Sequence, residues 1–493
     1  MVKIAKQKKS QTPTEPTVAA AEFDVLVIGL GTTGLYAART LAKVGKRVAA
    51  FERGPRGTTC ILTGCMPSKA LFVPAHHVAH VQIYAQLFEN EKNVDGKSAK
   101  NKKQTQPQQI DIPKLFLWMR EQRADFVKYR LQGEDAGGFA RIDGIAELVD
   151  KHTVSCNGKL YHGKFIILCT GSRVFVPPIP GLAKAPFFTS DNLFEQKKID
   201  GNSVIVLGGG VIGCEMAQFF NSIGFRVTIL ARSKPLLRMF DESVSRSLEE
   251  TFRKRGIDIV FDFESKSVSY DAAKKKFAVA DKTRNYVADN LIVSTGRVPN
   301  NPKGLDAAGV LVDKNNGRVV RNGFCQTSVR HIYTGGDQSG IQLLHEARQE
   351  GDYIAEHILG RTKVAYTSPK LQIAFTYPHI ASVGAQEKDL KQGTFLKSVV
   401  SFDEGRSIIE GVTEGMMQLL CDLKGNIIGA ACVNDYADHL IQSIMPYVQY
   451  KMHVSKITDC YHPTQQEVFL DLRDDLLAQL QQPRKKSKSV KKK

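Results

Sequence analysis

FDVLVIGLGTTG, residues 23–34, decides the fold class. Val25–Ile28 closes an apolar run of the kind found in a strand buried on both faces of a parallel sheet. Gly29, Gly31 and Gly34 follow in GxGxxG spacing, and a helix-like stretch continues to Val44. Glycines so spaced allow the tight turn, the close approach of a pyrophosphate and tight helix–strand packing, and the helix N-terminus favours phosphate charge. RVAAFE (47–52) reads as the next strand. It ends on Glu52, about 20 residues past the turn, placed to accept a hydrogen bond from a ribose hydroxyl. A bare GxGxxG could be a tight turn in an unrelated α/β protein; the flanking strand, the helix and Glu52 favour a dinucleotide site.

The same plan recurs downstream. SVIVL (203–207) leads into Gly208, Gly210 and Gly213, then a helix, then RVTILAR (226–232). Two such strand–turn–helix–strand segments imply two related nucleotide domains. At the position equivalent to Glu52 the second segment has Ala231, followed by Arg232, with Lys234 and Arg238 close behind. An acid there repels a 2′-phosphate and an arginine binds one. The first segment is therefore expected to hold FAD and the second NAD(P)H, with NADPH preferred. The competing reading makes Arg232 a solvated surface residue and NADH the cofactor.

Between the two segments lies TCILTGCMPSK (59–69). Cys60 and Cys65 can be bridged across a distorted helical turn, Gly64 permits the close geometry, and Pro67 suits the start of a helix. Such a pair can take electrons from a flavin and pass them on by thiol–disulfide exchange. The chain has 493 residues and nine cysteines, and only these two lie close together, which is no secreted disulfide framework. A zinc site is not expected, because no second Cys or His pair stands at matching spacing.

The composition, 42% hydrophobic and 24% charged, is that of a soluble globular protein, and the length allows two to four domains. No apolar run is long enough to span a membrane, and the N-terminus has no secretory apolar core, so a cytoplasmic location is expected. The net charge of +18 is concentrated at Lys3, Lys6, Lys8 and Lys9, at Lys97, Lys100, Lys102 and Lys103, and in the tail from Arg484 to Lys493. These are expected to be flexible basic appendages, with polyanion contact the lesser alternative. The polar stretch 89–109 cannot bury a core and reads as an exposed insertion.

YHPTQQE (461–467) puts His462 five residues before Glu467. Alone, this is a surface or capping histidine. A disulfide exchanger, however, needs a proton donor for the departing thiolate, and a carboxylate can orient that imidazole.

Together with CTGS (169–172), GGGVIGCE (208–215), STGRVPNN (294–301), YTGGD (333–337), LLHEARQEG (343–351) and FTYPHIASVG (375–384), these motifs resemble, in order and over residues 22–480, the class I pyridine nucleotide–disulfide oxidoreductases. The resemblance implies two Rossmann-like domains and a C-terminal α+β dimerisation domain. FAD would be bound by 22–170 and 291–365, NAD(P) by 171–290, and the dimer formed through 366–480, with 1–21 and 481–493 as basic ends. It implies that Cys65 is the thiol nearest the flavin and that Cys60 exchanges with substrate. Lys69 would pair with Glu215, and His462, held by Glu467, would act in the other subunit of a homodimer. Asp337 would bind the ribityl chain. Thr59, Ala146, Thr170, Gly171, Ser172, Leu343 and His345 would line the FAD site, and Gly296 the nicotinamide site. The resemblance runs closest to dihydrolipoamide dehydrogenase. A glutathione-type reductase is the alternative, and an NAD(P)H oxidase or transhydrogenase a further one. Mercuric reductase is disfavoured by the missing vicinal C-terminal cysteines. Leu62 stands where the family usually has asparagine.

Overall fold

The computed structural model describes residues 20–88, 110–340, 343–403 and 405–482. The lysines of the N-terminal segment, the stretch 89–109 and the basic residues of the tail lie outside the described residues. The α-helices, in chain order, are α1 (Thr32–Lys43), α2 (Thr59–Leu62), α3 (Cys65–Phe88), α4 (Ile112–Asp135), α5 (Val211–Ser222), α6 (Glu242–Lys254), α7 (Leu344–Ile358), α8 (Gly405–Glu410), α9 (Ala437–Gln449) and α10 (Val468–Gln481). The chain divides into two units, each assembled from three segments.

The first unit comprises Met1–Arg56, Gly133–Gly171 and Pro299–Tyr366. The strand Ala21–Ile28 is central. It pairs in parallel with Val48–Glu52 on one side and with Lys159–Leu168 on the other. Ala140–Asp143 extends the sheet beyond Val48–Glu52, and Ile332–Thr334 pairs with Lys159–Leu168, also in parallel. Thr153–Cys156 pairs antiparallel with the start of Lys159–Leu168, and Ala146–Leu148 pairs antiparallel with Thr153–Cys156 in turn. Val25, Leu26 and Val27 are fully buried, which explains why this stretch carries no alternation. Helices α1 and α7 lie close together: Thr33 Oγ1 donates to Ala347 O at 2.9 Å, and a Cβ at Gly351 would stand 2.5 Å from Thr33 O. Glu350 is fully buried, pairs with Arg321 and accepts from Gly336 N at 2.7 Å.

The second unit comprises Gly57–Gln132, Ser172–Val298 and Thr367–Lys493. It holds a four-stranded parallel sheet in the order Asp258–Val260, Arg226–Leu230, Ser203–Leu207, Asn290–Val293. A three-stranded antiparallel sheet, Ser267–Asp271, Lys276–Ala280 and Asn285–Ala288, accompanies it. The C-terminal part is a five-stranded antiparallel sheet in the order Gln372–Ala374, His379–Gly384, Ile427–Asn434, Met416–Asp422, Phe395–Ser401. Helix α6 is held at both ends to this C-terminal part. Its N-cap Asp241, nearly fully buried, accepts from Glu387 N, Lys388 N and Gln418 Nε2. Its C-cap Arg255 donates to Tyr377 O and Glu414.

The structure departs from the expected boundaries in two places. Leu291–Val293 was expected to open the second part of the first domain. Instead it pairs with Ser203–Leu207, and the chain returns to the first unit at Pro299. A short buried apolar strand does not reveal in sequence which sheet it joins. Residues 57–132, expected within the first domain, group with the second unit.

Candidate active site

The cysteine pair sits where a one-turn helix meets a long one. Thr58 caps α2 by accepting from Ile61 N at 3.3 Å, and Thr63 N closes the turn on Thr59 O at 3.0 Å. Helix α3 then begins at Cys65. A Cβ at Gly64 would lie 2.8 Å from Thr59 O, so this tight passage, which brings the two sulfurs together, requires glycine. Both thiols are free; Cys60 is half-buried and Cys65 exposed. Cys60 hydrogen-bonds to Cys65. That bond, aided by the charge of Lys69 and opposed by burial, draws the Cys65 thiol down to about 7. Cys60, which keeps the shared proton and is itself partly buried, is pushed far above the ordinary thiol range. Of the two, Cys65 is therefore the more acidic thiol and Cys60 the one that keeps its proton.

Lys69 stands one turn after Cys65, on the same helix face. Its Nζ lies 3.0 and 3.1 Å from the two carboxylate oxygens of Glu215, a nearly buried residue of α5. Two features missed in the sequence hold this ion pair. Phe375 N donates to Glu215 Oε1 at 2.8 Å, and the Phe375 ring lies 4.5 Å from Lys69 Nζ. Another missed residue, Arg123 of α4, donates to Leu62 O at 3.2 Å and pairs with Glu195. It thereby fastens the C-terminal end of α2. Leu62 itself packs on the bare α-carbon of Gly57, where a Cβ would meet Leu62 Cγ at 3.0 Å.

The two glycine turns agree in atomic detail. Gly29 (φ 100°) and Gly208 (φ 122°) adopt backbone conformations that favour glycine. A Cβ at Gly34 would stand 2.0 Å from Gly29 O, and one at Gly213 2.1 Å from Gly208 O. The middle glycines differ in kind: Gly31 meets only Cys169 O at 3.8 Å, and Gly210 meets nothing within 4 Å. Each caps its helix with open space before it, a cradle that a side chain would fill. Glu52 accepts from Leu30 N at 2.8 Å and Gly54 N at 3.0 Å, which fixes the carboxylate at the first turn.

The remaining expected FAD residues are spread over several elements. In the first unit, Thr170 N donates to Gln338 at 3.1 Å, and Gly171 (φ 70°) has open space at its α-carbon. Ala146 is buried in its short strand, Asp337 lies in the Gly336–Ser339 turn and Leu343 caps α7. His345 Nε2, in the first turn of α7, is buried without a hydrogen-bond partner. The open turn, the fixed Glu52 and this orphaned nitrogen fit a dinucleotide with a polar ring system. In the second unit, Thr59 opens α2 and is exposed, and Ser172 accepts from Arg297 Nε at 2.8 Å. Gly296 (φ 116°) borders open space beside the second turn's Ser294. Arg232 and Arg238 are exposed at the end of Arg226–Leu230, and Arg238 donates to Ser233.

His462 and Glu467 form a pair of their own in the C-terminal part. His462 Nδ1 lies 2.7 Å from Glu467 Oε1. Glu467 and Thr464 form a capping box around the 3-10 turn Gln465–Glu467. The imidazole is largely exposed, its side chain 78% accessible. Among the described residues no group of His, Cys, Asp or Glu is arranged to hold a metal ion, and no helix is long and apolar enough to cross a membrane.

The pyridine nucleotide-disulphide oxidoreductase profile matches residues 23–351, and the dimerisation domain of the same family matches 371–473. A mercuric reductase from Lysinibacillus sphaericus is 31% identical over 453 residues, covering 90% of this chain and 80% of that protein. A dihydrolipoyl dehydrogenase from Chlamydia pneumoniae is 28% identical over 465 residues, covering 91% and 96%. Among solved structures, the HOCl-induced flavoprotein disulfide reductase RclA from Escherichia coli shares the fold at a TM-score of 0.79 and 24% identity, over 92% of this chain and 99% of that one. The chain is a member of the pyridine nucleotide-disulphide oxidoreductase family: an α/β flavoprotein oxidoreductase acting on disulfides, with FAD and a pyridine nucleotide as its expected cofactors and the family's dimerisation domain at its C-terminal end.

Proposed function

We propose that Cys60 and Cys65 exchange a disulfide with a lipoyl-type dithiol substrate, as a dihydrolipoyl dehydrogenase does, within a cytoplasmic homodimer. The observation that carries this reading is the geometry of the pair: the Cys60 and Cys65 thiols come within hydrogen-bond reach across the Gly64 turn, with Lys69–Glu215 one helical turn beyond Cys65. The lipoyl assignment is supported by near full-length coverage of dihydrolipoyl dehydrogenases and by His462, paired with Glu467.

Gly29, Gly31, Gly34, Glu52 and Asp337 would hold FAD, which when bound would supply electron transfer between the nicotinamide and the cysteine pair. The protein's own steps concern protons and sulfur. To reduce a disulfide, Cys60 passes its proton to the imidazole of His462 of the partner subunit and attacks one substrate sulfur, which breaks the substrate S–S bond and forms a mixed disulfide. The departing thiolate takes a proton from His462 of the partner subunit. Cys65 thiolate then attacks the Cys60 sulfur, which forms the Cys60–Cys65 bond and releases the second substrate sulfur as a thiolate that is protonated from solvent. Two electrons have left the pair for the substrate. With a dithiol substrate the steps run in reverse and His462 acts as base. Glu467, bonded to Nδ1, holds the other ring nitrogen toward the sulfur in both directions.

NADPH is the proposed nicotinamide, because Arg232 and Arg238 are exposed where the first segment has Glu52. The test is steady-state turnover with lipoamide and with oxidised glutathione, each with NADH and NADPH. Turnover of glutathione but not lipoamide would move the substrate assignment to a glutathione-type reductase. Full NAD(P)H turnover with dioxygen by a Cys60→Ser variant would remove the disulfide from the reaction.

A further inference from the structure

We infer that Gln465 is the positioning residue that sets His462 for proton transfer, through a buried hydrogen-bonded anchor joining the Gln465–Glu467 turn to α8 and to the start of α9. The inference rests on the role proposed above for His462.

Gln465 lies inside the His462–Glu467 loop, yet its side chain points away from solvent; the residue is 9% exposed. Its Oε1 accepts from Ser407 Oγ at 2.7 Å, and its Nε2 donates to Glu410 Oε2 at 3.2 Å. Ser407 and Glu410 both belong to α8, and Ser407 is itself buried. Glu410 also accepts from Arg406 Nε at 2.5 Å and from the hydroxyl of Tyr436, the N-cap of α9. Both polar ends of Gln465 are thus committed, and an amide is the side chain that supplies an acceptor and a donor together.

The anchor reaches the imidazole in two steps. Gln465 is the first residue of the turn whose last residue is Glu467. Glu467 divides its carboxylate, one oxygen on His462 Nδ1 at 2.7 Å and the other accepting from Thr464 N at 3.4 Å. The turn is short and His462 is exposed, so little else fixes its rotation. Releasing Gln465 frees the turn, moves Glu467 and loosens the imidazole.

The groups around the anchor are held in the protonation states that its hydrogen bonds need. Burial opposes the charge on Glu410, but hydrogen bonds from Tyr436, Arg406 and Gln465 outweigh it and hold the carboxyl below its ordinary value. Burial, then the bond to Glu410, pushes the Tyr436 hydroxyl up to about 12. Cys460, whose thiol donates to Gln466 O at 3.4 Å, is raised by burial and by Glu467.

The test uses the FAD-loaded dimer with lipoamide as the probe disulfide. Gln465→Met keeps the volume and removes both hydrogen bonds. It should lower kcat for lipoamide reduction about tenfold, a fraction of what a full general acid contributes. KM for lipoamide should stay within about twofold of wild type, because the anchor orients the proton donor and does not touch the substrate. Flavin reduction by NAD(P)H, followed by stopped flow, should keep its wild-type rate. Ser407→Ala removes one of the two bonds and should lower kcat by less; it serves if Gln465→Met does not fold. Wild-type kcat in these variants, alongside a disabled His462→Gln, would overturn the anchor alone. Full lipoamide turnover by His462→Gln would overturn the proposed role of His462, and the anchor with it.

Discussion

Replacing Cys60 by alanine removes the donor that holds Cys65 as a thiolate. The folded Cys65 titrates at about 7, below the ordinary thiol value of about 8.5. The fold therefore favours the charged form; that preference is fully present above about 8.5 and is lost as pH falls through about 7. A hydrogen bond to a charged group is worth about 1.5–3 kcal/mol, and one pKa unit corresponds to about 1.4 kcal/mol, which gives a rise of about one to two units. Cys65 is exposed, and solvent screening selects the low end, about one unit. At pH 7 the thiolate fraction should fall from about one half to about a tenth, so iodoacetamide should alkylate Cys65 about fivefold more slowly. At about pH 9.5 the two proteins should react alike. Serine at position 60 still donates and should restore part of the rate. Peptide mass spectrometry separates Cys65 from the exposed edge of Cys460, the other seven cysteines being substituted or buried. An unchanged rate at pH 7 would refute the polarity assigned to the pair, and a faster one would make Cys60 the thiolate.

Three further outcomes follow from the same structure. Arg232→Ala should raise KM for NADPH about ten- to a hundredfold while leaving NADH unaffected, since charge-assisted hydrogen bonds to a phosphate are worth about 1.5–3 kcal/mol; paired steady-state assays read this directly. Gly34→Ala places a methyl 2.0 Å from Gly29 O and should destabilise by about 3 kcal/mol or more, whereas Gly210→Ala meets nothing within 4 Å and should keep Tm while weakening nicotinamide binding about tenfold. Glu350→Gln breaks the ion pair between a fully buried carboxylate and the part-exposed Arg321 and should cost about 3 kcal/mol in denaturant unfolding; a loss below about 1 kcal/mol would show that the Gly336 turn has another support.

The glycine turns were legible because their constraint is local: a glycine pressed against the carbonyl of a residue five positions earlier leaves its mark at fixed spacing. The cysteine pair was legible for the same reason. Lys69 and Glu215 are far apart in sequence, and only the resemblance joined them. Phe375 and Arg123 were invisible because each works through backbone, an amide proton in one case and the carbonyl of Leu62 in the other, and any residue type offers those groups. Gln465 looked like one polar residue among several; its burial comes from α8, whose place against the loop no local pattern encodes. Leu291–Val293 falls in the 291–365 range expected for FAD yet pairs with Ser203–Leu207, because apolar runs carry no address.

Helix α6 brings a further consequence. Its caps reach across to the antiparallel sheet, Asp241 with three donors and Arg255 with two acceptors. Neither end can open without stranding a buried carboxylate or a guanidinium, so the parallel and antiparallel sheets should behave as one cooperative unfolding block in native-state hydrogen exchange. A chimera that transplants the 203–293 segment from a relative, to change its nicotinamide, would inherit that seam. It would fold only if the donor segment brought residues equivalent to Asp241 and Arg255, which makes these two positions, rather than the nucleotide-facing ones, the first to match.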